Sequence, residues 1–194
     1  MAKLVVSILS SLDGYCAGPG DQLDALPMES AFDAHNLSLM RNARTYLFGA
    51  VTFPMFEGYW PTVDRGPGGD PIAREIAERF DVAPKLVVSN TFKVNEGSPW
   101  TDTEVVRRSD AHRRIAELKA LIANDLLVFG SHVLANDLLA QGLVDEFYLL
   151  VGNVVLGDGV RTFEPGVKAP FKLTGQRRLA DSDIVALHYD CRQR

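Results

Sequence analysis

Apolar residues in this chain fall into short runs, separated by polar loops and by stretches whose apolar positions recur at helical spacing. Residues 3–10, Lys-Leu-Val-Val-Ser-Ile-Leu-Ser, are β-branched and apolar and are followed by Asp13-Gly14, the pattern of a strand buried on both faces. After a polar loop with Gly18-Pro19-Gly20, residues 29–42 place Phe32, Leu39 and Met40 with Ala31, His35 and Ala43 on an approximate helical face. Residues 45–48 predict a second buried strand ending at Gly49, and residues 51–56 are long enough for one or two helical turns. Residues 58–71 are rich in glycine and proline and predict a loop. Pro71 opens a helix over 71–80, because proline fits the first turn, where its missing N–H is not needed. Residues 85–89 form a third strand and 104–107 a fourth. Ile115, Leu118 and Ile122 recur at three and four residues, predicting a helix over 110–123 with Asp110 as its N-cap. A strand over 125–129, a helix over 131–141 closed by Gly142, and strands over 146–151, 171–176 and 184–189 complete the chain.

Strands alternating with helices imply a parallel sheet with right-handed crossovers and helices on both faces, and the last two strands, having no helix between them, imply an antiparallel hairpin at its end. The expectation is one α/β domain over residues 1–194, with ligands at the carboxyl ends of the strands. A chain of this length buries roughly 70% of its unfolded surface, so its core needs neither metal nor disulfides. The 20 Lys and Arg against 25 Asp and Glu leave a net charge of −5, which gives no electrostatic reason to bind nucleic acid or an anionic membrane. The most apolar stretch, 147–156, is interrupted by Gly152 and Asn153 and is about half the length that crosses a bilayer. Cys16 and Cys191 lie too far apart to read as a disulfide framework, and with no secretion signal in view the expected location is the cytoplasm.

Two strand ends share one feature: a glycine followed directly by a helix start. They are Gly49-Ala50-Val51-Thr52 and Gly130-Ser131-His132-Val133-Leu134. Helix N-termini offer unpaired N–H groups and partial positive charge, and glycine lets a phosphate approach the backbone, so a dinucleotide would use two such ends. The same arrangement also serves as a tight turn with Ser131 capping its own helix. The G-x-G-x-x-G fingerprint and the Walker loop are both absent. The four histidines and two cysteines show no metal-ligand spacing, so no metal is expected. Asp13, at the end of the first strand, is the candidate catalytic carboxylate, able to hold a ring N–H or supply a proton; an ordinary Asp-Gly turn is the alternative. Phe53, Phe56, Tyr59 and Trp60 serve either to wall a planar ligand or as core, with Trp60 beside Pro61 the most open to solvent.

In order and spacing, Ser11-Leu-Asp-Gly-Tyr15, Gly49-x-x-Thr52-Phe53, Phe56-Glu-Gly-Tyr-Trp-Pro61, Lys85-Leu-Val-Val-Ser89, Asp125-Leu-Leu-Val-Phe-Gly-Ser-x-x-Leu134, Gly142-Leu-Val-Asp-Glu146 and Val155-Leu-Gly-Asp-Gly159 resemble the reductase family of dihydrofolate reductase and the C-terminal domain of bifunctional riboflavin deaminase-reductase. The resemblance implies a dihydrofolate reductase-like α/β/α fold and hydride transfer from NADPH, or NADH, to a small heterocycle or imine, as in 5-amino-6-(5-phosphoribosylamino)uracil reductase. It places cofactor on 49–52, on Ser89 and Asn90, and on 130–134, and substrate near Phe32, Phe56, Trp60 and Phe129. It also implies a homodimer built through the C-terminal part of the chain. Three positions depart from the family pattern. Ala50 stands where an arginine is common, which predicts modest discrimination between NADPH and NADH. Phe129 replaces a substrate-holding glutamate, and Asp24-Ala25 replaces Asp-Trp. The helix over 29–42 offers Asp33 but no clear match to the folate-binding carboxylate. These departures leave a non-catalytic dinucleotide-binding dimer as the alternative function.

Overall fold

The first strand of the chain becomes the middle of the sheet. In the computed structural model, which describes residues 2–192, β1 (Leu4–Ser10) is buried at every position, as its unbroken apolar run requires. It is flanked by β6 (Asp125–Phe129) and β7 (Glu146–Val151), both parallel to it. Beyond β6 lie β3 (Ala43–Gly49), β4 (Lys85–Val88) and β5 (Thr103–Val106), again parallel. Beyond β7 come β10 (Val185–Asp190) and the edge strand β9 (Lys172–Arg178), so the order is β5-β4-β3-β6-β1-β7-β10-β9. Within this sheet β10 alone runs opposite to the other strands, and the expected C-terminal antiparallel hairpin is present.

Successive residues of β1 point to opposite faces and seed separate cores. Leu4, Val6 and Ile8 pack with Ala111 and Ile115 of α4 (Arg108–Leu121) and with Leu134, Ala135 and Leu138 of α5 (His132–Ala140). Val5 faces the other way, onto Leu37 and Met40 of α1 (Ser30–Met40), Phe53 of α2 (Thr52–Tyr59) and Ile76, Ala77 and Phe80 of α3 (Pro71–Val82). This makes three layers. The helices end close to where the sequence places them, with instructive exceptions. Asp70 caps α3, its side chain accepting from Ile72 N at 2.9 Å ahead of Pro71. Asp110, expected to cap α4, instead lies inside it. The helix starts two residues earlier, and the Oδ1 of Asn90, from a different loop, accepts from Arg108 N at 3.0 Å.

Residues 58–71 are loop only in part, since α2 runs on to Tyr59 and a 3-10 turn occupies Trp60–Thr62. Two strands escaped the sequence pattern entirely. β2 (Tyr15–Ala17) and β8 (Val160–Arg161) pair as a small antiparallel sheet over the end of β1. Among the described residues no helix is long and apolar enough to cross a membrane.

Candidate functional site

The sheet order places the carboxyl ends of β3, β6 and β1 side by side, and the chain leaves these ends toward opposite faces: β3 to α2, β6 to α5, β1 to α1. A crevice at such a point is where open α/β sheets bind ligands. Here it is a cleft of about 850 Å3. Gly49, Ala50, Val51 and Thr52 line it, as do residues 130–134, so the two predicted glycine turns meet in one place.

They are also tied together. Gly130 has φ +53° and Ser131 φ +46°, two consecutive left-handed residues. For a non-glycine residue that conformation costs about 1–2 kcal/mol. The Ser131 hydroxyl does not cap its own helix. It accepts from Gly49 N at 3.0 Å, across 82 positions of sequence. The first N–H groups of α5 are therefore left without a side-chain cap, and a Cβ built on Gly130 meets nothing within 4 Å. Open backbone donors, a partial positive helix end and a bare glycine surface suit a diphosphate. The exposed Arg108, at the start of α4, lines the same cleft and adds a guanidinium.

The four residues expected to touch substrate are also lining residues: Phe32, Phe56, Trp60 and Phe129. Phe56 and Phe129 stack at 5.9 Å between centroids, and Trp60 lies 6.4 Å from Phe56. Trp60 is buried, whereas Tyr59 is 56% exposed, which reverses the expectation about Trp60. Packing on Phe80 at 5.6 Å holds the indole inward. Phe53 is wholly core.

Asp13 does not line the cleft, and its assignment as catalytic carboxylate is corrected. Its carboxylate is committed to a loop clamp, accepting from Ser11 Oγ at 2.6 Å, Leu156 N at 3.0 Å and Gly157 N at 2.7 Å. These bonds, that of Ser11 first, pull its pKa down to about 2, an unsuitable value for a proton donor near neutrality. Ser89 and Asn90 are likewise outside the cleft lining. The Ser89 hydroxyl accepts from Thr91 N and Phe92 N, and Asn90 is spent on the start of α4.

Asp33, which the sequence offered without a role, lies half-buried in the cleft wall on α1. Burial, reinforced by the nearby Asp70 carboxylate, pushes its pKa up to about 6, and among the described residues none hydrogen-bonds to its carboxylate. One helical turn on, Asn36 also lines the cleft, and its Oδ1 accepts a hydrogen bond from Ser7 Oγ at 2.8 Å.

This three-layer architecture, with its ligand crevice at the strand ends, is the dihydrofolate reductase-like fold. Dihydrofolate reductase of Enterococcus faecalis, solved with NADP(H), superposes with a TM-score of 0.61 at 13% identity over 98% of this chain and 97% of that one. Residues 2–185 match the RibD C-terminal domain model, and the chain belongs to that family. A putative riboflavin biosynthesis protein from Shewanella sp. PV-4 superposes over the whole of both chains, with a TM-score of 0.74 and 24% identity. The uncharacterized protein YyaP of Bacillus subtilis (strain 168) is 26% identical over 163 residues, 83% of this chain and 80% of that protein. Membership in this family supports a reductase-type function.

Proposed function

We propose that the chain is an NADPH-dependent reductase that transfers a hydride to a small heterocyclic or imine substrate. The observation that carries this is the joining of the two glycine turns by the Gly49–Ser131 hydrogen bond, which opens both helix starts onto a single cleft with an aromatic wall. The nicotinamide cofactor, when bound, supplies the hydride. The chain's residues do the rest. Residues 130–134 and Arg108 hold phosphate groups, Phe56, Trp60 and Phe129 flatten and orient a planar acceptor, and the apolar wall excludes water. Asp33, whose pKa is pushed up to about 6 by burial, lines the same cleft and in this reading exchanges a proton with the acceptor.

Fluorescence titration of NADPH into the protein tests binding, and NADPH oxidation with heterocyclic imines tests turnover. Saturable binding with turnover that Asp33→Asn lowers at unchanged NADPH affinity is expected; a folded protein that binds neither NADPH nor NADH refutes the reading.

For the assembly, the support comes from the far end of the sheet. β9 is an edge strand exposed along nearly its whole length, with the exposed Leu173 on it and Phe171 just before it, and the partly exposed Phe163 packs on Phe171 at 5.8 Å. Such an edge invites a strand or face from a second copy. The proposal is a two-fold homodimer through this region.

A further inference from the structure

Phosphate binding in the cleft has to work against the cleft's own charge. The charged or chargeable side chains among its described lining residues are Arg108 and His132 on one hand and Asp21, Asp33 and Asp137 on the other. Attraction by net charge does not hold a diphosphate there, so the individual donors at the start of α5 must be placed accurately. Ser131 does not place them, because its hydroxyl is spent on Gly49 N. A buried carboxamide one turn further along α5 does. Asn136, 3% exposed, donates through Nδ2 to His132 O at 2.8 Å and to Thr162 O at 2.9 Å, and its Oδ1 accepts from Glu164 N at 3.0 Å. Both donors and the acceptor of the carboxamide are thereby used. The segment it grips is itself fixed to the end of β1: Thr162 donates from N to Gly14 O at 2.9 Å and from Oγ1 to Ser10 Oγ at 2.8 Å. Glu164 in turn sets a carboxylate oxygen 3.3 Å from His132 Nε2. The first residue of α5 is thus held at its carbonyl by Asn136 and at its imidazole by Glu164, and Asn136 fixes one against the other. Asp137, the next residue, spends its carboxylate on His112 Nε2 at 2.6 Å, on α4.

We propose that Asn136 is a positioning residue for the cofactor's diphosphate, holding the uncapped start of α5 and the His132–Glu164 pair in the arrangement that receives it. This rests on the reading of that helix start as the diphosphate site. The place calls for a carboxamide. An aspartate would set a carboxylate against two carbonyl oxygens, and an alanine would deprive the interior Thr162 O and Glu164 N of this partner.

The test compares the full chain with Asn136→Ala and Thr162→Val. Thr162→Val is the control, because it removes the Ser10 bond from the same buried network and leaves the carbonyl that Asn136 grips. NADPH and inorganic pyrophosphate are titrated calorimetrically into each protein, and Tm is measured. Both variants should lose Tm, but Asn136→Ala should weaken both ligands at least about fivefold while Thr162→Val stays within about twofold of the parent. The His132 ring resonances, assigned by His132→Gln, give a readout free of ligand. In Asn136→Ala they should move toward those of Glu164→Gln, and in Thr162→Val they should not. Should Asn136→Ala fail to fold, hydrogen exchange on the parent decides: saturating ligand should slow the Glu164 amide at least about fivefold. Unchanged affinity or unmoved His132 resonances in a folded Asn136→Ala, an equal loss in Thr162→Val, or a Glu164 amide indifferent to bound ligand overturns the proposal. So does a parent that binds neither pyrophosphate nor NADPH. A parent that binds pyrophosphate but not NADPH counts against the reductase reading instead, and the pyrophosphate titrations still decide what Asn136 does.

Discussion

Replacing Gly130 by Val separates the energetic demands of the fold from those of the cofactor. In the free protein the new Cβ meets no heavy atom within 4 Å, so the cost to stability comes from the backbone, held at φ +53°. Forcing an L-residue into that region costs about 1–2 kcal/mol, and for a chain of this size each kcal/mol lowers Tm by about 2–4 °C. The variant should therefore stay folded with Tm lowered by about 2–8 °C. The space the valine fills is the surface that a diphosphate must approach to reach the uncapped start of α5. NADPH affinity should fall at least about tenfold, or 1.4 kcal/mol. Gly14→Val is the matched control. Gly14 has φ +88°, also meets nothing within 4 Å, and lies outside the cleft lining, so this variant should lose stability without losing cofactor. Calorimetry gives Tm and fluorescence titration gives Kd. A folded Gly130→Val protein that binds NADPH as tightly as the parent refutes the reasoning, as does an equal loss of affinity in Gly14→Val.

Other outcomes follow from the same geometry. Arg108→Ala removes the only guanidinium among the cleft's described lining residues, and at about 1.5–3 kcal/mol for a charged hydrogen bond it should weaken NADPH binding more than tenfold; unchanged affinity would place Arg108 away from the cofactor's phosphates. Asp13→Asn should lower Tm at neutral pH by loosening the 156–157 clamp. Because the folded pKa of Asp13 is depressed to about 2, its contribution is complete above about pH 4 and is lost as the pH falls through about 2. The Tm difference from the parent should close over that window, and a gap that stays constant from pH 7 to pH 2 would show that the charge is irrelevant. Sedimentation at micromolar concentration should give twice the 21.3 kDa chain mass, and Leu173→Lys on the β9 edge should shift it toward monomer; a parent species of 21.3 kDa alone would discard the dimer.

What the sequence disclosed, and what it hid, follows from how local each feature is. β1 and β6 were legible because strands buried on both faces leave continuous apolar runs. The glycine turns at 49 and 130 were legible because a strand end, a glycine and a helix start are adjacent in sequence. β2 and β8, three and two residues long, exist only because loops 143 positions apart are clamped together, and no short window records that. The same clamp misdirected Asp13: a carboxylate at a strand end looks free until its partners at 156 and 157 are known. Asp33 failed in the opposite direction. On a helix of mixed polarity it looks like surface, and only the packing of α1 against the cleft makes it half-buried. Asp110 had the right chemistry for an N-cap, but Asn90 arrived from another loop to meet the first N–H of α4.

The central position of β1 also has a consequence for synthesis of the chain. β1 leaves the ribosome before either of its neighbours, since β6 ends at Phe129 and β7 at Val151. Until those residues emerge, Leu-Val-Val-Ser-Ile-Leu-Ser has no strand to pair with on either side, while β3 and β4 are available to each other much earlier. Long-range pairing of this kind slows folding and leaves sticky segments waiting. A nascent chain stalled before residue 125 should therefore present β1 to chaperones that hold extended apolar peptides, and one released after residue 151 should not.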